Sequence, residues 1–121
     1  MDNPDIIIGE RRRTILREAQ LEAIFSRGVR SLGGIVVKLA PTMAGVPDRL
    51  VLLPESRFYL VELKTETGQL SPIQTAWHYR ANRLGTPVAT LFGEAEVRKW
   101  IRERADDTLP KEEEYDSFRF S

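Results

Sequence analysis

The sequence predicts a single α/β domain in which helices flank a small mixed β-sheet, in the order α-β-β-β-α-β-α. A length of 121 residues is typical of one domain. Hydrophobic residues make up 41% of the chain and charged residues 30%, which is the balance of a globular protein. Segments with helical periodicity alternate with short apolar runs bounded by turn residues, as expected for this fold class.

Three segments have the spacing and the end signals of helices. The first runs from Thr14 to Leu32, where apolar residues recur every three or four positions, and Gly33 ends it. Ser71 is a favourable N-cap for the second helix, which extends from Pro72 to Leu84. The third helix is amphipathic and covers residues 94–105.

Four apolar segments between these helices predict strands, at residues 35–39, 48–53, 58–64 and 87–92. A connection of hairpin length joins the second strand to the third, which predicts an antiparallel pair. The second helix separates the third strand from the fourth, so this crossover predicts a parallel, right-handed connection. The predicted sheet is therefore mixed.

Charge and composition divide the chain into three parts. Residues 1–13 predict a flexible basic arm that ends in Arg11-Arg12-Arg13, residues 14–105 the folded domain, and residues 106–121 an acidic tail. The net charge is zero, but residues 1–105 carry four more basic than acidic side chains and the tail carries four more acidic than basic ones. A mildly basic domain is thus hidden by the overall balance.

Composition also excludes several function classes. The chain has no cysteine and one histidine, which excludes disulfide scaffolds, thiol nucleophiles and multi-histidine metal sites. No apolar run approaches the roughly 20 residues of a membrane span, and the N-terminus lacks a signal-peptide pattern. We therefore expect a soluble intracellular protein that does not enter membranes.

Three charged residues occur where neighbouring strands are otherwise apolar. Because side chains alternate along a strand, Glu62 and Lys64 point the same way, and the predicted hairpin brings Asp48 beside Glu62. Two adjacent carboxylates repel each other, and a divalent cation between them relieves the repulsion. Oxygen ligands suit Mg²⁺ or Mn²⁺. With Lys64 alongside, such an ion would suit attack on a phosphodiester.

The first helix offers a further acid. At about 100° per residue, Glu18 lies near the centre of the apolar stripe and Glu22 about 40° to one side. We therefore expect Glu18 to point toward the core and to need a partner there. Both residues stay candidates for the site, with Glu18 favoured.

The order and spacing of three short motifs resemble the VRR-NUC branch of the PD-(D/E)xK nucleases. The motifs are Gly45-Val46-Pro47-Asp48-Arg49, Val61-Glu62-Leu63-Lys64 and Leu70-Ser71-Pro72-Ile73-Gln74, and the resemblance runs from about Glu18 to Phe92. It implies a restriction-endonuclease-like core and a nuclease that depends on Mg²⁺ or Mn²⁺ and recognises DNA structure.

The resemblance also implies roles for individual residues. Lys64 would orient the attacking water or stabilise charge, and Gln74 would orient a phosphate or water. The implied metal ligands are Asp48, Glu62, the backbone carbonyl of Leu63, and Glu18 directly or through water, with Glu22 as the alternative acid.

The implied partner is branched DNA, with the Holliday junction as the best single candidate. The resemblance to compact members of this branch also implies a homodimer. A symmetric junction has two strands to cut, and each chain has one site, so two copies are needed. The candidates for contact with DNA phosphates are Lys38, Arg80 and Arg83.

Plainer interpretations of the same residues stay open. Asp48 could cap the turn after Pro47, Glu62 and Lys64 could form a surface pair, and Gln74 could bond to the helix backbone. His78 is expected to be a surface or core-edge residue rather than a catalytic base. The rival functions are a non-catalytic DNA-binding module and a nuclease subunit of a larger DNA-processing complex.

Overall fold

The computed structural model of the protein describes residues 14–40 and 43–108. Within them lie three helices and four strands: α1 (Glu18–Ser31), β1 (Ile35–Lys38), β2 (Arg49–Leu53), β3 (Arg57–Lys64), α2 (Pro72–Arg83), β4 (Val88–Phe92) and α3 (Gly93–Thr108). The order α-β-β-β-α-β-α and the mixed sheet confirm the predicted fold class.

Two helix boundaries differ from the predicted ones by more than one residue. Helix α1 starts four residues later than expected, at a point where the Arg17 backbone N–H donates to the Gln20 side-chain oxygen (2.8 Å). Helix α3 continues to Thr108, and an ion pair of 2.8 Å between Arg104 and Asp107 supports its last turn. The predicted basic arm and residues 109–121 of the predicted acidic tail lie outside the described residues.

The four strands lie side by side in chain order. β1, β2 and β3 are antiparallel to one another, whereas β4 runs parallel to β3, as the crossover through α2 requires. The β2–β3 turn spans residues 54–56, and two of its three residues have positive φ angles, Glu55 (68°) and Ser56 (62°), as in a tight hairpin turn. The predicted antiparallel hairpin and parallel crossover are both present.

Helices α1 and α3 cover one face of the sheet and bury the core with it. Gly28 of α1 makes this close packing possible, because a Cβ there would lie 2.7 Å from the Ile101 side chain of α3. The core residues are Leu21, Phe25 and Val29 of α1, Val51, Leu53, Val61, Leu63 and Leu91 of the sheet, and Val97 and Trp100 of α3.

The opposite face of the sheet is covered in part by α2, which packs against β4. Away from α2 this face carries an exposed row of three register neighbours, Ile35, Leu52 and Phe58, whose side chains are 61%, 41% and 61% exposed. No helix among the described residues has the length and apolar character needed to cross a bilayer.

Candidate active site

The β2–β3 hairpin brings the two central acidic residues together. Arg49 pairs with Val61 in the antiparallel register, so the next pair along places Asp48 beside Glu62. The backbone carbonyl of Asp48 also accepts a hydrogen bond from the Leu39 N–H (2.7 Å), which ties it to the end of β1. The acids therefore meet at one end of the sheet, as the alternation of side chains predicts.

Glu62 is a buried carboxyl group in an electrostatically strained position. Its residue is 6% exposed, and its Oε1 atom has no hydrogen-bond partner among the described residues. Burial raises the pKa of Glu62, the Asp48 charge raises it further, and the charges of Lys64 and Arg49 offset part of the effect. A cation at this position would relieve the desolvation and the repulsion together.

The donor set fits a hard divalent cation that keeps several water ligands. The structure brings Asp48 and Glu62 together, and the Leu63 carbonyl belongs to the same strand end. Within residues 14–40 and 43–108, no group of three or more Asp, Glu, His or Cys side chains could hold a metal ion. Two carboxylates, a carbonyl and water match the oxygen coordination of Mg²⁺, which seldom has an all-protein shell.

Glu18 lies at the edge of this cluster rather than in the core, which corrects the orientation expected from its helical position. It is exposed because it is the first residue of α1, and the buried stripe starts one turn later at Leu21. Its charge still acts on Glu62, whose pKa it raises. Glu18 is therefore near enough to influence the site through space.

Arg49 is a residue of the candidate site to which the sequence analysis gave no role. Its side chain is 2% exposed and donates to Asp48 Oδ1 through Nη1 (2.6 Å) and to Glu22 Oε2 through Nη2 (2.8 Å). One guanidinium thereby joins Asp48 to helix α1. The sequence offers one signal that Arg49 is buried: it alternates along β2 with the apolar residues Val51 and Leu53, which are buried.

The Arg49 contact also distinguishes the two acids of α1. Glu22 contacts Arg49 and, at 3.5 Å, Lys38. Burial raises the pKa of Glu22, but the hydrogen bond and charge of Arg49, with the charge of Lys38, outweigh burial and lower it. Glu22 thus forms ion pairs with Arg49 and Lys38, whereas Glu18 forms no ion pair with either of them.

The third motif builds the start of α2 and packs it against the Asp48 loop. The Gln74 side-chain oxygen accepts from the Ser71 N–H (2.9 Å), and the Ser71 hydroxyl accepts from the Gln74 N–H (3.2 Å), so the two form a capping box. Gly45 has φ +87°, and a Cβ there would lie 2.6 Å from the Ile73 carbonyl oxygen. Among the described residues, no hydrogen bond occupies the amide nitrogen of Gln74.

His78 lies at the edge of the core, as expected, but its contacts there were not predicted. Its Nδ1 lies 3.3 Å from Thr90 Oγ1, and its Nε2 lies 4.0 Å from Glu62 Oε1. Burial lowers the pKa of His78, and the Lys64 charge lowers it further, so both favour the neutral ring. No sequence pattern marked it, because the contact depends on how α2 crosses β3 and β4.

The three candidates for phosphate contact lie on the surface. Lys38 is 65% exposed and forms its ion pair with Glu22 (3.5 Å). Arg80 and Arg83 are exposed on α2, where Arg83 donates to the Tyr79 hydroxyl (3.3 Å) and lies over its ring. All three are accessible to a large polyanion.

The chain is similar to known proteins over most of its described part. It is 38% identical over 78 residues to "Putative nuclease p44" of Acyrthosiphon pisum secondary endosymbiont phage 1, covering 64% of this chain and 84% of the phage protein. A solved structure described as "VRR_NUC domain" has the same fold, with a TM-score of 0.65 and 30% identity over 70% of this chain and 94% of that one. No protein-family model matches the chain.

Proposed function

The chain belongs to the VRR-NUC family of nucleases, and on this basis we propose that it is a metal-dependent endonuclease that hydrolyses phosphodiester bonds in branched DNA. The Holliday junction is the proposed substrate. The observation that carries the proposal is the buried Glu62 carboxyl group, whose Oε1 has no hydrogen-bond partner among the described residues, beside the second negative charge of the partly exposed Asp48. Similarity to a phage protein supports action in the cytoplasm of a bacterial or phage-infected cell.

In this proposal Asp48, Glu62 and the Leu63 carbonyl hold one Mg²⁺ or Mn²⁺ ion. When bound, the ion supplies Lewis-acid stabilisation of phosphate charge and makes water more acidic. Lys64 shares a strand face with Glu62, so its ammonium group can orient the attacking water and offset the charge that develops on the phosphate. Glu18 contributes through water, since its exposed side chain acts on Glu62 only through its charge.

Gln74 is proposed to bind the phosphate or the attacking water with its amide nitrogen. Its oxygen is already bonded to Ser71, and this contact fixes the direction in which the amide group points. The Gly45 contact with the first turn of α2 keeps this end of the helix against the Asp48 loop. The Gln74 side chain can therefore form the capping box through its oxygen and a catalytic contact through its nitrogen.

Lys38, Arg80 and Arg83 are proposed to contact DNA phosphates. Such contacts give affinity without reading sequence and make binding sensitive to salt. Lys38 pairs with Arg49 in the β1 and β2 register, and Arg49 holds Asp48, so Lys38 is only one strand from the candidate cleavage site. This position supports a contact with the phosphates that flank the cleaved bond.

The active form is proposed to be a homodimer, because a symmetric junction presents two strands to cut and each chain carries one candidate site. The exposed row Ile35, Leu52 and Phe58 supports self-association, since contiguous apolar surface on a protein often marks an interface. The row lies on the same sheet face as Glu62.

The test is cleavage of end-labelled four-way junction, flap and linear duplex at equal concentration with Mg²⁺ or Mn²⁺. We expect the junction to be cut at least about ten times faster than the duplex, and EDTA to abolish cutting. Equal cutting of all three substrates would contradict structure selectivity. A protein that binds the junction but never cuts it with either metal would support the DNA-binding module instead.

A further inference from the structure

Two buried polar atoms face each other beside the candidate cleavage site. His78 Nε2 and Glu62 Oε1 are 4.0 Å apart, and neither has a hydrogen-bond partner among the described residues. Their side chains are only 13% and 8% exposed. A buried polar atom without a hydrogen-bond partner is energetically costly, so two such atoms 4.0 Å apart indicate a hydrogen bond that is nearly formed.

The contacts around His78 show which imidazole nitrogen faces Glu62 and which one faces Thr90. Glu62 and Thr90 are register partners on β3 and β4, so both side chains project from the same sheet face toward α2. Thr90 Oγ1 lies 3.3 Å from His78 Nδ1. A hydroxyl that donates to Nδ1 leaves the ring hydrogen on Nε2, which is the nitrogen on the Glu62 side.

A small rotation is enough to complete the contact. The terminal torsions of glutamate and histidine side chains are broad, so a movement of about 1 Å is inexpensive. Once Nε2–H donates to Oε1, the second carboxylate oxygen of Glu62 has a fixed direction. Partners of this kind, which orient a metal-binding side chain, commonly change metal affinity or activity by about 10–100-fold when they are removed.

We propose that His78 is a positioning residue of the cleavage site: its Nε2–H donates to Glu62 Oε1 and directs the other oxygen of Glu62 toward the metal ion, while the Thr90 hydroxyl holds the ring through Nδ1. The proposal rests on the proposed function for the presence of the ion. The hydrogen bond itself belongs to the metal-free protein.

The single histidine of the chain gives a direct test on the wild-type protein. Long-range ¹H–¹⁵N NMR of the metal-free protein reports which imidazole nitrogen carries the hydrogen, without assignment among several rings. We expect the Nε2–H form in wild type and a mixture of the two tautomers in Thr90→Val. A wild-type ring with its hydrogen on Nδ1 would overturn the proposal.

Calorimetry with Mn²⁺ tests the consequence for the site. We expect His78→Ala to bind Mn²⁺ about tenfold more weakly or worse, and His78→Gln, which keeps an N–H donor, to recover part of the loss. Thr75→Ala is the matched control, because Thr75 is an exposed residue of the same helix. Unchanged Mn²⁺ affinity in a folded His78→Ala protein would contradict the proposal.

The two measurements separate this proposal from the proposed function. A wild-type protein that binds Mn²⁺ and cuts no DNA would refute the nuclease assignment and leave the His78 result valid. Normal junction cleavage with the hydrogen on Nδ1 would refute the positioning role alone. If His78→Ala does not fold, the tautomer of the wild-type ring still decides the matter.

Discussion

At the scale of single residues, the candidate site depends on charges held where water is scarce. Glu62 is buried next to Asp48, and the only nearby cations acting on it are Lys64 and Arg49 among the described residues. Arg49 is itself occupied by Asp48 and Glu22. Lys64 is therefore the cation with freedom to act on a substrate.

Lys64→Ala is expected to lower the rate of junction cleavage by about 10²–10³-fold, because a positioned positive charge at the reacting phosphate is removed. Junction affinity, measured by fluorescence anisotropy in Ca²⁺, should change by less than about threefold. Lys99→Ala, at an exposed lysine of α3, serves as control and should cut like wild type. A parallel loss of affinity and rate would show that Lys64 serves binding rather than chemistry.

Glu62→Gln is expected to stabilise the metal-free protein at pH 7 by about 1 kcal/mol while abolishing cleavage. Burial raises the pKa of Glu62 above its ordinary value of 4.5, so its favourable contribution is complete below that pH and is lost as pH rises through the folded-state pKa. The gain in the variant should therefore be absent at low pH and appear as pH increases.

Thermal unfolding in EDTA between pH 4 and 8 measures the effect of Glu62→Gln. The exposed Glu103 of α3 provides a control, and Glu103→Gln should have no pH-dependent advantage. A Glu62→Gln protein that is less stable than wild type at pH 7 would show that the carboxylate is compensated in the metal-free state.

At the scale of elements, local signals were strong enough to predict every helix and strand in the described part of the chain. Ser71 and Pro72 start α2 where capping chemistry requires, and the periodicity of α1 marks its buried residues. Glu18 was placed wrongly because periodicity gives an angle around the helix axis but not where the core ends. The contacts of Arg49 with Glu22 and of His78 with Glu62 were not predicted because the partners lie on other elements, and no local pattern encodes such packing.

Gly45→Ala tests the contact between the Asp48 loop and α2, and Gly85→Ala is its matched control. Both glycines have φ +87°, but a Cβ at Gly85 meets nothing within 4 Å, while at Gly45 it meets the Ile73 carbonyl oxygen at 2.6 Å. We expect Gly85→Ala to cost about 1 kcal/mol of stability from backbone strain, and Gly45→Ala at least about 1 kcal/mol more.

Urea unfolding measures both glycine variants, and junction cleavage shows what the loop does for the site. Because the clash pushes the Asp48 loop away from α2, Gly45→Ala should also lose cleavage activity under conditions where it is fully folded. Equal stability losses in the two variants would mean that the loop moves without resistance.

At the scale of the whole molecule, the two faces of the sheet serve different purposes. Helices α1 and α3 seal one face and supply most of the buried apolar surface. The other face carries Glu62, Lys64 and Thr90 at one end and the exposed row at the other. The family match accounts for the fold and the general activity, while the proposed cleavage site and the proposed dimer contact both lie on this second face.

Phe58→Ser is expected to convert the proposed dimer to a monomer with little loss of stability, since Phe58 is 61% exposed in the single chain. Light scattering after size exclusion gives the mass. Leu84→Ser, at an apolar residue that is 84% exposed at the end of α2, should stay dimeric. A wild-type mass of one chain at micromolar concentration would contradict the dimer, and an unchanged mass for Phe58→Ser would exclude the exposed row as its interface.

Strand β3 carries core residues on one face and candidate site residues on the other, and this limits how its length can evolve. Val61 and Leu63 belong to the core, whereas Glu62 and Lys64 project from the other side. A single inserted or deleted residue within the strand would exchange the two sets and bury the charges among the apolar side chains. Length variation among descendants of this sequence should therefore be confined to the turn at residues 54–56, and β3 should diversify by substitution alone.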